Sequence, residues 1–207
     1  MSRHAAHWFA LPILLSVLVH NQLKIAPTRP LITQAIDNNK RVTLMGNISR
    51  EAQAATDRGR VPDFLLMPHM KLILRLPKEK QVELERFLQE VSNPESPRYH
   101  KWLTPQQFKD EFSLAPEDIH TLTRWLRSEG FKVNATMPTS IDFSGTAGQV
   151  RRAFKTEIDY LDVNGMRHIG NVTEPQIPVA LAPAVSGIAS LNDFKPHPMG
   201  SSRPSQE

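Results

Sequence analysis

Three groups of residues in this chain have types and spacings that could do chemistry. The first is Ser144-Gly145-Thr146. Such a triplet can form a peptidase nucleophile turn, in which the serine hydroxyl attacks a carbonyl. The second is the set of eight histidines, at positions 4, 7, 20, 69, 100, 120, 168 and 197. Imidazole can ligate a metal or move a proton near neutral pH. The third is basic: Arg151, Arg152 and Lys155 share one helix, and Arg98, His100 and Lys101 flank aromatics, as a nucleic-acid surface would require.

The neighbours of each group favour a structural role. Ile141 and Phe143 make Ser144 the end of a strand, and Thr146 opens a capping box with Gln149. Gly145 is then the tight turn between them, and no Gly-x-Ser-x-Gly elbow, base or orienting group is in view. The histidines form neither His-x-x-x-His nor His-Glu-x-x-His, which argues against a metal centre. No glycine-rich phosphate loop is present, and no motif calls for a cofactor. The cations make no dense stripe, so a solvated face is the better reading and nucleic acid is not the expected partner.

The elements that must position these residues are readable. Met70, Leu72, Leu74 and Leu76 alternate with Lys71 and Arg75, which predicts a strand with one buried face. Pro77 suits the first position of a helix, with Leu84, Phe87, Leu88 and Val91 inward and Asn93-Pro94 at its end. Thr104-Pro105-Gln106-Gln107 is a capping box that starts a short helix carrying Phe108 and Phe112. A further helix runs from Pro116 to Gly130 with a stripe of Ile119, Leu122, Trp125 and Leu126. Residues 131–135 and 140–143 predict short strands, and Val150 and Phe154 face inward on the helix that Thr146 caps. Asn164-Gly165 is a two-residue hairpin turn between residues 157–163 and 166–169. This order of strands and helices predicts an α+β fold, a ferredoxin-like antiparallel sheet with helices packed on one face.

The ends differ from this middle. Arg3 and the apolar run Phe9 to Val19 read as a signal peptide or leader over residues 1–25. The run is too short for stable membrane insertion, and residues 20–24 lack a small-x-small cleavage pattern. Residues 26–60 form a lead-in, with a short strand over 41–46 and a helix over 49–58 that has Ser49 as N-cap and Gly59 past its end. Residues 61–194 form the main domain, and 195–207, rich in Pro and Ser, an unstructured tail or linker. Zero cysteine among 207 residues excludes disulfides, thiolate metal sites and a Cys nucleophile. A net charge of +4 is a weak field that permits an acidic partner without demanding one.

The most distinctive stretch is Ser96 to Phe108, in which prolines frame Tyr99, His100 and Trp102 ahead of Leu103-Thr104-Pro105. Tyr99 and Trp102 are expected to pin the loop by burying their rings. This run closely resembles the signature loop of the activation prodomain of sedolisin/kumamolisin-type serine-carboxyl peptidases. Trp125 to Val133, Phe143 to Thr146, Pro175 to Pro178, Val185 to Ile188 and Leu191 to Phe194 are similar to the same family in the same order. The resemblance covers about residues 42–194. It implies a domain that helps a peptidase fold, inhibits it and is cut off at acidic pH. It also implies a secreted, extracellular or periplasmic setting, and a cleft-facing or processed segment at Asp193, Phe194 and Lys195. The family's catalytic Glu, Asp and Ser and its calcium site lie downstream, so no catalytic residue carries over and Ser144 does not match the nucleophile. Three readings follow: a prodomain whose peptidase is encoded separately or lost, a free-standing inhibitor acting in trans, and an enzyme through Ser144.

Overall fold

The computed structural model describes residues 29–194. The signal or leader segment, the tail and Lys195 lie outside the described residues. The chain runs β1 (Arg41–Thr43), α1 (Arg50–Ala54), β2 (Thr56–Arg60), β3 (Leu66–Leu74), α2 (Lys78–Ser92), α3 (Pro105–Phe112), α4 (Pro116–Ser128), β4 (Lys132–Met137) and β5 (Ser140–Thr146). It continues through α5 (Ala147–Phe154), β6 (Ile158–Val163), β7 (Met166–Asn171), β8 (Gln176–Pro178) and β9 (Val185–Ala189).

The fold is α+β, with every strand pair antiparallel. The central sheet has the order β4-β5-β3-β9. Met70, Leu72, Ile141 and Phe143 alternate inward because a strand has a side-chain period of two. Against that face lie α4 and α5. Trp125 and Phe154 meet edge-on at 5.6 Å, and Phe131 and Phe143 complete the stack. Gly145 is inside β5 and is not a turn. A side chain there would strike the Phe131 ring at 2.5 Å, so close packing, not chain reversal, requires glycine.

Several expectations need correction. The 157–169 hairpin does not complete the central sheet; it pairs with β2 in a separate sheet of order β2-β6-β7, and β9 takes the fourth place. The helix after Ser49 stops at Ala54, and residues 56–60 are a strand whose turn at Gly59 needs φ +89°. Not all helices share the sheet's covered face: α2 and α3 enclose a separate cluster of Phe87, Val91 and Phe112. Leu88 is exposed, and Leu103 and Phe108 pack there instead. Tyr99 and Trp102 are not buried, being 38% and 60% exposed. The loop is pinned by its backbone, with His100 N–H donating to Val91 C=O at 3.0 Å and Tyr99 N–H to Ser96 C=O at 3.0 Å.

Both capping boxes form as the spacing predicts, at Thr104–Gln107 and Thr146–Gln149. The lead-in is part of the folded body. Buried Asp118 accepts from the Leu31 and Ile32 amides at 2.8 Å each, and Leu31, Ile32 and Ile36 pack on the main core. Arg151 is no solvated cation. Its side chain is 5% exposed, pairs with Asp63 and Glu157, and donates to the carbonyls of Val61 and Ile158.

Candidate docking site on the open sheet face

No described helix covers the opposite face of the central sheet, where β4 is largely exposed. That face shows Lys71 on β3, Asp142 and Ser144 on β5, and Lys132, Asn134 and Ala135 on β4. Two bulges frame its centre. On one side, β3 gains a residue between Met67 (opposite Gly145) and Met70 (opposite Phe143). Pro68 explains this one, since it has no N–H for the ladder and is tolerated at a bulge. On the other side, β4 gains a residue between Val133 and Ala135. Bulges re-aim side chains, and here both aim at β5.

The result is a four-residue cluster. His69, at φ +54°, donates its backbone N–H to Ser144 Oγ at 3.0 Å. Its ring Nδ1 lies 3.2 Å from each carboxylate oxygen of Asp142. Asn134 Nδ2 donates to Asp142 Oδ1 at 2.6 Å and to Ser144 Oγ at 2.7 Å. The Asn134 amide, then the His69 ring, holds the Asp142 carboxyl below the ordinary carboxylate range against the opposing effect of partial burial. Ser, His and Asp are thus together, but not as a triad. The imidazole bonds Asp142 and not the hydroxyl, while Ser144 Oγ accepts from a backbone amide and a side-chain amide. No base is placed to take its proton.

The other sequence-picked residues lie elsewhere. In the Ser96–Phe108 run, His100 (φ +56°) stacks on Tyr99 at 3.8 Å, and Thr104 and Pro105 start α3. At the C-terminal end, Asp193 Oδ1 accepts from the Ile169 amide and sits 3.0 Å from His168 Nδ1, and the Phe194 ring lies 4.8 Å from that imidazole. Asp193 and Phe194 are therefore laid on β7, not extended away from the body. Sequence reading missed the His69 cluster. The one available signal was Pro68 inside a run of strand-like residues.

No group of three His, Cys, Asp or Glu among the described residues is placed to hold a metal ion. No described helix is long and apolar enough to cross a membrane.

A mixed α+β domain whose central sheet leaves one face exposed among the described residues has a surface on which another protein could dock. The sequence model described as Pro-kumamolisin, activation domain, matches residues 53–194, and the chain belongs to that family. It is 29% identical to sedolisin of Pseudomonas sp. (strain 101) over 134 residues, 63% of this chain and 22% of that protein. Xanthomonalisin of Xanthomonas sp. (strain T-22) is 28% identical over 127 residues, 60% of this chain and 15% of that protein. Human tripeptidyl-peptidase 1 is 29% identical over 136 residues, 61% of this chain and 23% of that protein. The chain thus spans less than a quarter of each of these relatives and matches their prodomain part alone. Residues 53–194 are thus a peptidase activation domain.

Proposed function

We propose that residues 61–194 act as an activation domain that docks on a sedolisin-type serine-carboxyl peptidase, assists its folding, inhibits it and lets go at acidic pH. The described part of the lead-in, residues 29–60, braces that domain. The observation that carries this reading is the family match over 53–194, joined to a sheet face that no described helix covers. The occupant is a catalytic domain because that is what the remaining length of the relatives holds. Binding only the folded partner stabilises it by mass action. Lys71 and Lys132 on the bare face, and a chain charge of +4, suit a partner rich in carboxylates. As those carboxylates protonate toward pH ~4, the attraction fades.

The exposed Tyr99, His100 and Trp102 are a second contact, on a loop anchored by Leu103 and Phe108 in the small cluster and by the Thr104-Pro105 start of α3. Asp193, Phe194 and Lys195 start the segment that leads to the cleft and is processed. The setting is outside the cytoplasm, reached through the N-terminal apolar run. The partner is supplied in cis or in trans, and one experiment covers both. Purified protein is added to mature Pseudomonas sedolisin, and peptide hydrolysis is followed from about pH 7 to about pH 4. Inhibition that weakens on acidification is expected; no inhibition at any pH overturns the reading.

A further inference from the structure

We propose that His69, locked by Asp142 on the bare sheet face, is the contact that reads pH, and that it pairs with a hydrogen-bond donor of the docked peptidase. The proposal rests on the docking reading above. Its ground is tautomer geometry. The Asp142 carboxylate stands 3.2 Å from Nδ1 through both oxygens, so the neutral ring carries its proton on Nδ1. The far nitrogen, Nε2, is then a bare acceptor. The side chain is 73% exposed, while Asp142 beneath it is 16% exposed. The bare face thus presents one oriented imidazole lone pair, held by a carboxylate that Asn134 fixes in turn.

The backbone is arranged for this. His69 is a non-glycine residue at φ +54°, a conformation that costs energy and persists only where its surroundings hold it. Its amide bonds the Ser144 hydroxyl in place of a ladder carbonyl, at the point where Pro68 interrupts the strand. The charged group in contact with the ring is Asp142 on β5; Lys71 on β3 is the register partner of Asp142, and Lys132 on β4 is that of Ser144.

The sign follows from which nitrogen changes. Histidine is the side chain that gains charge between neutral and mildly acidic pH. Protonation adds N–H at Nε2 and turns the acceptor into a donor. A partner N–H or cation that met the lone pair at neutral pH then meets a donor, and the contact becomes repulsive. Loss of one such hydrogen bond corresponds to about tenfold in affinity. This switch acts through His69 whatever carboxylates the partner carries, so it is separable from the general loss of charge attraction.

The test is the dissociation constant for mature Pseudomonas sedolisin at about pH 7.5 and about pH 5, for the wild-type chain, His69→Gln and His69→Asn. Gln keeps an acceptor near the Nε2 position at every pH. Asn tolerates positive φ and reaches Asp142, but has nothing at Nε2. The wild type is expected to weaken by about tenfold more on acidification than either variant, with Asn also weaker at neutral pH. If Gln cannot fold, as a thermal melt would reveal, the Asn comparison decides alone. A variant that keeps the full wild-type pH step overturns the proposal while leaving docking intact. A wild type that binds at neither pH overturns both.

Discussion

The two hydrophobic clusters of this domain are built on different terms. The larger gathers strands and helices from residue 44 to residue 191, and Phe143 and Phe154 in it have no exposure at all. The smaller draws only on residues 76 to 112, with three buried members, Phe87, Val91 and Phe112, and a rim of half-covered Leu76, Leu84, Leu103 and Phe108. The larger is closed by long-range pairing, the smaller by neighbours in sequence. A cluster of that kind can open while the rest stays folded. The Ser96–Phe108 loop sits on the part that opens, whereas the His69 cluster sits on a sheet whose other face is the main core.

Truncating each cluster tests this. Phe154→Ala removes a ring that stacks on Phe131 and meets Trp125 and Phe143. It should cost about 3–5 kcal/mol, seen as a lower urea midpoint with every probe moving together. Phe112→Ala removes contacts to Phe87 at 6.4 Å and Phe108 at 5.3 Å. The expected cost is at the low end of that range, about 3 kcal/mol, because the half-covered rim of the small cluster can collapse into the space. Hydrogen exchange should then speed up across residues 78–112 and stay slow in β3 and β5. Equal loss of protection in both places would break the comparison.

The comparison also explains what the sequence could tell. The main core was legible because it obeys periodicity: Met70, Leu72 and Leu74 at period two, and Leu122, Trp125 and Leu126 at helical spacing. Both capping boxes were legible because the motif is local. The bare-face cluster was not, since two bulges in separate strands converge on β5 and neither leaves a periodic trace. Arg151 was misplaced for a related reason. Its partners, Asp63, Glu157 and the carbonyls of Val61 and Ile158, come from two segments outside its helix, and nothing within that helix marks it as buried. Tyr99 and Trp102 were misplaced because large aromatics usually bury; here the backbone does the pinning and the rings face out.

The twin capping boxes give a sharper contrast at lower cost. Thr104→Ala and Thr146→Ala each remove a hydroxyl that accepts from the third helical amide, at 3.2 and 3.3 Å. Each loss is worth about 1 kcal/mol. The first should appear only as faster exchange in α3 and its loop. The second lies on the main core and should lower the global melting temperature. A global shift from Thr104→Ala would mean that the two clusters unfold as one.

The smallest expected effect lies outside both clusters, where β2 and β6 meet. Asp159 is buried and its Oδ1 has no hydrogen-bond partner. Burial first, then repulsion from Asp57 and Glu157, pushes its carboxyl above the ordinary value of 3.8. A raised carboxyl binds its proton more readily folded than unfolded, so its charged form destabilises the fold. That cost is complete above the folded value and fades as pH falls toward 3.8. The Asp63 and Asp162 carboxyls, lowered chiefly by side-chain hydrogen bonds from Arg60 and Arg58, have the opposite sign, as does Asp142, lowered chiefly by Asn134. Their stabilisation is present above 3.8 and is lost as pH drops below it. Asp159→Asn should therefore raise the melting temperature at neutral pH, and its advantage should shrink steadily on acidification. A variant less stable than the wild type at neutral pH would show that the buried carboxylate supports β2 and does not strain it.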